Sequence, residues 1–258
     1  MSFLSKVKTL TPVALKPSII TCNVKYLFIL SHMRSRSSVL AHVLGSNEGI
    51  IGHSELHKSY MNYIDLIKMR IRLYKDLKSN LKDRYLLDKI LHNKNTISNK
   101  IFKIASPKVI FLLREPESTI RSTIRSTINM GNILDVESYK NPEKAMCYYC
   151  SRLLQIEKYA KAIDRGCFFL ESDNLVNDTG QALNSLTRWL CLEKPLTNNY
   201  SKFHDTGKCA HGDPSDNILI GKIIKTQCNP NFTIPKDVLI KAKYSYEKCK
   251  ATIMKYHA

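Results

Sequence analysis

Val24-Lys25-Tyr26-Leu27-Phe28-Ile29-Leu30-Ser31-His32-Met33-Arg34-Ser35-Arg36-Ser37-Ser38 is the stretch from which the fold is read. Val24 to Leu30 is a short run of β-forming apolar residues. A polar loop follows at 31–37. Val39, Leu40, Val43 and Leu44 then recur at helical spacing, and Gly45 is expected to end that helix as a C-cap. The unit is strand–loop–helix, which sets a helix N-terminus at the end of a buried strand.

That loop has the chemistry of a phosphate site. Backbone N–H groups at a helix N-terminus, the hydroxyls of Ser35, Ser37 and Ser38, and the cations of Arg34 and Arg36 all suit an oxyanion. The glycines and the Gly-Lys-Ser/Thr ending of a Walker A loop are absent, which argues against an ATPase or GTPase. The plain alternative is a helix N-cap with surface arginines.

Outward from this unit, strands and helices alternate. Gly49–Gly52 reads as a second short strand. Residues 58–78 read as a basic helix with Met61, Ile64, Ile67, Ile71 and Tyr74 on one face. Lys108 to Leu113 is a continuous apolar strand, as expected when both faces are covered. A helix with Ile120, Ile124 and Ile128 follows and ends near Gly131; it contains the local repeat Ser-Thr-Ile-Arg at 118–121 and 122–125. Residues 143–164 form the clearest helix, with Met146, Tyr149, Leu153, Ile156, Ala160 and Ile163 as its stripe. Cys167–Leu170 is another strand, and helices at about 178–191 and 236–255 complete the chain. This order predicts an α/β fold: a three-layer parallel sheet with helices on both faces. Residues 1–22 read as an N-terminal extension and 23–258 as one domain.

A second phosphate-type position lies at Arg114. The strand 108–113 runs straight into Arg114-Glu115-Pro116, so Arg114 falls on the sheet edge where α/β folds bind ligands. Ser122 stands eight residues later on the next helix. An arginine and a hydroxyl so placed clamp one phosphate from two sides. The plain alternative for Arg114 is an ion pair or a helix-dipole role.

The chain has 258 residues, and its net charge of +18 attracts anions: nucleotide, nucleic acid, acidic glycan or a membrane surface. The lysines are dispersed, so a bias toward Lys and Asn explains part of the excess. No apolar run is long enough to cross a bilayer, which leaves at most peripheral membrane contact through the basic surface. Eight cysteines, most inside apolar runs, read as reduced core thiols of a cytoplasmic protein. Cys147 and Cys150 form a CxxC without the second pair a zinc site needs, and no metal is expected. Three sequons, at Asn177, Asn199 and Asn231, have no signal segment beside them.

Together these pieces resemble the sulfotransferases that use 3′-phosphoadenosine 5′-phosphosulfate (PAPS) as donor. The resemblance spans about residues 24–226 and implies the P-loop nucleoside-triphosphate-hydrolase-like sulfotransferase fold. It implies that Arg34, Ser35, Arg36, Ser37 and Ser38 grip the 5′-phosphosulfate. It implies that Arg114 and Ser122, at the family's spacing of eight, hold the 3′-phosphate. Ser172-Asp173-Asn174-Leu175-Val176 resembles a later family segment, and Lys208 through Gly212-Asp213 a nucleotide-closing loop with Lys208 on phosphate. The product would be 3′-phosphoadenosine 5′-phosphate. Three departures stand out: Arg36 replaces a glycine, Ser172 replaces a tyrosine near the adenine, and Gly207 replaces an arginine.

An acceptor hydroxyl must lose its proton, so a general base is needed. In Gly52-His53-Ser54-Glu55-Leu56-His57, Glu55 stands 21 residues after Arg34, the interval at which tyrosine- and glycan-type members carry a glutamate. The resemblance therefore assigns Glu55 as base, with Arg34 as the cation at the reacting group and His53 and His57 as rival bases. Asp88-Lys89 reads as a buried ion pair beneath the cleft. The expected function is sulfonyl transfer to a hydroxyl of a glycan, lipid or small molecule. Its rivals are a P-loop nucleotide or sugar kinase, which should carry a Walker lysine, and a basic nucleic-acid-binding protein, which should show aromatic platforms or a helix-turn-helix. A family member that binds nucleotide without turnover is the third. No nucleic-acid partner is expected, and the sequence does not set the oligomeric state.

Overall fold

The structure is a computed structural model that describes residues 17–129, 139–208, 215–225 and 233–257. Helix α1 (Ser18–Thr21) leads into β1 (Lys25–Ser31), α2 (Ser37–Gly45) and β2 (Ile50–Ile51). Then come α3 (Tyr63–Leu77), β3 (Tyr85–Ile90), α4 (Asn99–Ala105), β4 (Lys108–Leu113) and α5 (Pro116–Asn129). The order closes with α6 (Pro142–Ala162), β5 (Cys167–Glu171), α7 (Asn174–Asn177), α8 (Thr179–Leu190), a 3-10 turn (Asp216–Ile220) and α9 (Lys236–His257).

The five strands form one sheet in the order β2-β3-β1-β4-β5, and every pairing is parallel. Strand alternation splits β1 between two cores. Tyr26, Phe28 and Leu30 pack on one face with Leu66 of α3, Ile101 of α4, Ile120 of α5, Leu153 of α6 and Val238 of α9. Leu27 and Ile29 pack on the other with Leu40 and Leu44 of α2 and Leu183 and Leu186 of α8. Burying each such side chain contributes about 1.5–3 kcal/mol, so covering both faces is what makes the apolar runs of β1 and β4 stable. The chain leaves β1 toward β2 on one edge and leaves β4 toward β5 on the other. The adjacent carboxyl ends of β1 and β4 therefore form the crevice at which such sheets bind ligands.

Local sequence explains the element ends, with several departures from expectation. Helix α3 starts at Tyr63, not 58, because Asn62 and Asp65 form a capping box there. Its buried residues are Leu66, Met69, Arg70, Ile71 and Leu73, so Ile71 is buried as expected, whereas Met61 and Ile64 face solvent. Ile128 is likewise exposed, unlike Ile120 and Ile124, and Gly131 lies outside the described residues. Gly45 is not a left-handed cap. The cap is Ser46, at φ −80°, and a Cβ on Gly45 would collide with the carbonyl oxygen of Gly52. Gly52 itself, at φ 121°, lies against the carbonyl oxygen of Leu87. Of the six described cysteines, all free, Cys249 is buried in the core, Cys22, Cys150 and Cys167 are half-buried against it, and only Cys147 and Cys191 are exposed; Cys209 and Cys228 lie outside the described residues. Within residues 17–22, Ile19 is buried and the carbonyls of Ile20 and Cys22 accept from Arg70 Nη1 at 2.7 and 3.0 Å.

Candidate functional site

The loop between β1 and α2 is tied to the neighbouring strand ends. Ser31 Oγ lies 2.6 Å from Ser35 Oγ and 2.5 Å from the carbonyl oxygen of Leu112 on β4. Two of its residues, Arg34 at φ 60° and Arg36 at φ 65°, are left-handed, a conformation costing a side-chain-bearing residue about 1–2 kcal/mol. At Arg36 the guanidinium offsets that cost. Its Nη1 donates to Ser172 Oγ at 2.8 Å, to the Ser172 carbonyl at 3.2 Å and to Asp173 Oδ1 at 2.5 Å. The loop is thereby anchored to the end of β5. Ser35, Ser37 and Ser38 are buried at the entrance of α2.

Arg34, Arg114 and Ser122 come together. Arg34 Nε donates to Ser122 Oγ at 3.0 Å, and Arg114 Nη1 donates to the Arg34 carbonyl at 2.9 Å. Ser122 is buried, and Arg114 Nε is buried with no hydrogen-bond partner among the described residues. Burial, with Arg36 and Arg34 nearby, lowers Arg114 to about 10, against the pull of Asp173 and Glu115. It stays charged at neutral pH. The crevice thus concentrates positive charge that an anion would relieve.

Below the crevice, side chains of helix α6 fix the strand ends. Arg152 is fully buried, and its Nε donates to the Ser31 carbonyl at 2.7 Å while Nη2 donates to the Ile90 carbonyl at 2.5 Å. Tyr148 OH accepts from the Met33 N–H at 3.1 Å and donates to the Leu91 carbonyl at 2.8 Å. His32 is neutral, since burial lowers it to about 3. Its Nδ1 donates to the Met33 carbonyl at 2.8 Å.

Glu55 lies on the turn between β2 and α3 and is 7% exposed. Burial pushes its carboxyl up, but His57, His92 and Lys89 outweigh it and hold the group below its ordinary value. His57 Nδ1 lies 3.4 Å from Glu55 Oε1, a charge contact too loose to count as a full hydrogen bond. The turn is fixed to β3, because Asp88 Oδ1 accepts from the Leu56 N–H at 2.9 Å and Asp88 Oδ2 accepts from Tyr60 OH at 2.6 Å. Burial raises Asp88 to about 7 against these donors.

The other sequence candidates separate. His57 is half-exposed beside Glu55, whereas His53 lies flat on Phe203 with ring centroids 3.9 Å apart. Lys208 is exposed, with its Nζ 3.3 Å from His204 Nε2 and 4.0 Å from Asp205 Oδ1. Gly212 and Asp213 lie outside the described residues. Asp88 and Lys89 have separate side-chain partners instead of the expected ion pair with each other. Neighbouring strand residues point to opposite faces, and Lys89 Nζ instead donates to Ser38 Oγ at 2.9 Å. Lys89 is therefore a buried cation under the first loop. Sequence reasoning left its role open, although a charged pair inside the apolar run Leu86 to Ile90 was the signal. Arg152, Tyr148 and His92 carried no such signal, because each reads as an ordinary helix or loop residue.

Among the described residues no three or more His, Cys, Asp and Glu side chains gather as a metal site. Among the described residues no helix is long and apolar enough to cross a membrane.

No protein-family model matches the chain, and neither does any curated protein sequence. Solved structures do. A sulfotransferase domain from the curacin biosynthetic pathway is 17% identical with a TM-score of 0.58, over 87% of this chain and 98% of that one. A sulfotransferase domain from the Synechococcus PCC 7002 olefin synthase is 18% identical with a TM-score of 0.55, over 86% and 95% of the two chains. The all-parallel sheet, its helix-covered faces and these likenesses give one conclusion: the chain has the fold of sulfotransferase domains.

Proposed function

We propose that the chain is a PAPS-dependent sulfotransferase that transfers a sulfonyl group to the hydroxyl of a glycan, lipid or small molecule. The observation that carries this reading is the convergence of Arg34 and Arg114, from the loops after the adjacent strands β1 and β4, with Ser122 of α5, around a buried Arg114 Nε with no partner among the described residues. Such a cluster suits a nucleotide with phosphates at two positions. Arg114 and Ser122 would hold the 3′-phosphate, and Arg34, Ser35, Ser37, Ser38 and the α2 N-terminus the 5′-phosphosulfate. Arg36 would act from behind, by holding the loop to Ser172 and Asp173. The strand order and the phosphate-type loop after β1 support the P-loop-like class. We take residues 23–258 as the domain. The six cysteines among the described residues are all free thiols, which supports a cytoplasmic reading.

The donor supplies an activated sulfonyl group. Glu55 takes the proton of the acceptor hydroxyl while the acceptor oxygen bonds to sulfur. The bond from sulfur to the 5′-phosphate oxygen breaks, and its electron pair leaves with the phosphate. Arg34 and Lys89 neutralise the charge that grows on that oxygen. Glu55 is ionised at neutral pH, as a base must be, because its neighbours hold its carboxyl down.

The test is transfer of labelled sulfonyl from PAPS across a panel of glycan, lipid and phenolic acceptors, with and without EDTA. Transfer that survives EDTA is expected, since arginine and lysine meet the leaving charge. Phosphoryl transfer from ATP with strict magnesium dependence would overturn the reading in favour of a kinase.

A further inference from the structure

The short turn that carries Glu55 is held at two points. On one side the Leu56 N–H donates to Asp88 Oδ1 at 2.9 Å. On the other, His53 stacks on Phe203, with ring centroids 3.9 Å apart and planes 10° from parallel. His53 is 6% exposed, and neither ring nitrogen has a hydrogen-bond partner among the described residues. A buried imidazole with both nitrogens idle serves as a flat surface, not as a hydrogen-bonding group. Gly52, just before it, passes so close to β3 that a Cβ there would collide with the carbonyl oxygen of Leu87.

Phe203 is itself fixed from behind. His42 Nδ1 donates to the Ser38 carbonyl at 2.8 Å, which leaves Nε2 to accept from Thr206 Oγ1 at 2.9 Å. Thr206 Oγ1 in turn accepts from the Phe203 N–H at 2.8 Å. The His42 ring meets Phe203 and His53 edge-on, at 5.4 and 5.6 Å. The ring of Phe203 therefore presses on His53 from a loop pinned to α2, the helix that also carries Ser37 and Ser38.

We propose that Phe203 is a positioning residue for Glu55: stacked on His53, it holds the 52–57 turn so that the carboxylate faces the acceptor hydroxyl. The inference rests on the reading of Glu55 as the base. Phe203 acts through His53 and the turn, so its removal should disturb proton transfer and leave the nucleotide cations untouched.

The experiment is a double-mutant cycle in the sulfonyl-transfer assay with the full chain. Phe203→Ala should lower kcat about 2- to 12-fold, the loss of one aromatic pair, with 3′,5′-ADP affinity unchanged. Phe203→Tyr should restore kcat. In a Glu55→Gln background Phe203→Ala should cost nothing further, because the group it positions is gone. Should Phe203→Ala fail to fold, Phe203→Leu keeps bulk without the stack and carries the same expectation. An equal loss in both backgrounds, a parallel loss of 3′,5′-ADP affinity, or no recovery with Phe203→Tyr overturns this inference alone. A Glu55→Gln chain as active as the parent overturns the base assignment and, with it, the positioning role.

Discussion

The main-chain N–H of Arg114 donates to Nε2 of His32 at 3.1 Å, while the side chain of Arg114 donates to the carbonyl of Arg34. The two loops at the crevice are therefore stitched in both directions, and neither can move without the other. Removing the guanidinium cuts one stitch and, on the proposed function, the contact to the 3′-phosphate as well. Arg114→Ala should weaken 3′,5′-ADP binding by about 1.5–3 kcal/mol, or roughly 10- to 150-fold, and ADP binding much less. Calorimetric titration with the two nucleotides measures the difference. Equal losses for both would show that Arg114 does not read the 3′-phosphate.

Glu55→Gln keeps shape and hydrogen-bonding reach but removes the proton acceptor. Turnover should fall by about 10²–10⁴-fold, with the thermal shift given by 3′,5′-ADP unchanged. His57→Asn should cost less, since His57 Nδ1 stands 3.4 Å from the carboxylate and tunes it without replacing it. A His57→Asn chain that is dead beside an active Glu55→Gln chain would move the base to histidine.

Arg36 sits at φ 65°, where glycine is unstrained. Arg36→Gly loses the bonds to Ser172 and Asp173 but gains backbone freedom, and the two effects oppose. Arg36→Ala loses the bonds and keeps the strain. Alanine should therefore be less stable than glycine by about 1 kcal/mol, read as the difference between the two variants in urea unfolding. Alanine equal to or more stable than glycine would contradict the left-handed geometry.

Acid should destabilise the fold through its buried histidines. Burial, with His42 and Lys89 nearby, lowers His53 from 6.5 to about 4, and burial lowers His32 to about 3. As pH falls below 6.5 the unfolded chain takes up protons that the folded chain refuses, so stability held above 6.5 is lost toward pH 4. Asp88, raised by burial from 3.8 to about 7, works in the opposite sense over much of that window. His53→Phe keeps the stack on Phe203 and removes one titrating group. The slope of unfolding free energy between pH 6.5 and 4 should shrink by about 1.4 kcal/mol per pH unit. An unchanged slope would mean that His53 already takes up its proton in the folded chain.

The sequence made some elements plain and hid others for physical reasons. Continuous apolar runs announced β1, β4 and most of β5, because strands covered on both faces need nothing but apolar side chains. The 3.6-residue stripe from Tyr149 to Ile163 announced α6 in the same way. Strand β3 was not read as a strand, since its end carries Asp88 and Lys89, and charges in a buried strand have meaning only once their partners, Tyr60 and Ser38, are seen. The spacing of Arg114 and Ser122 was legible, and the structure brings both to Arg34. The roles of Arg152 and Tyr148 were not, because they reach main-chain atoms from helix α6, more than fifty residues away in sequence.

Strand β1 lies at the centre of the sheet, yet its partners begin at Tyr85 and Lys108. During synthesis the run Tyr26 to Leu30 leaves the ribosome long before either neighbour exists. Until about residue 113 has emerged, one of the most apolar segments of the chain has no complete seat, which invites chaperone capture or self-association. The phosphate-type loop, attached to that strand, cannot take its shape earlier. Nascent chains arrested before β4 should therefore stay protease-sensitive throughout residues 24–38, however long they are held.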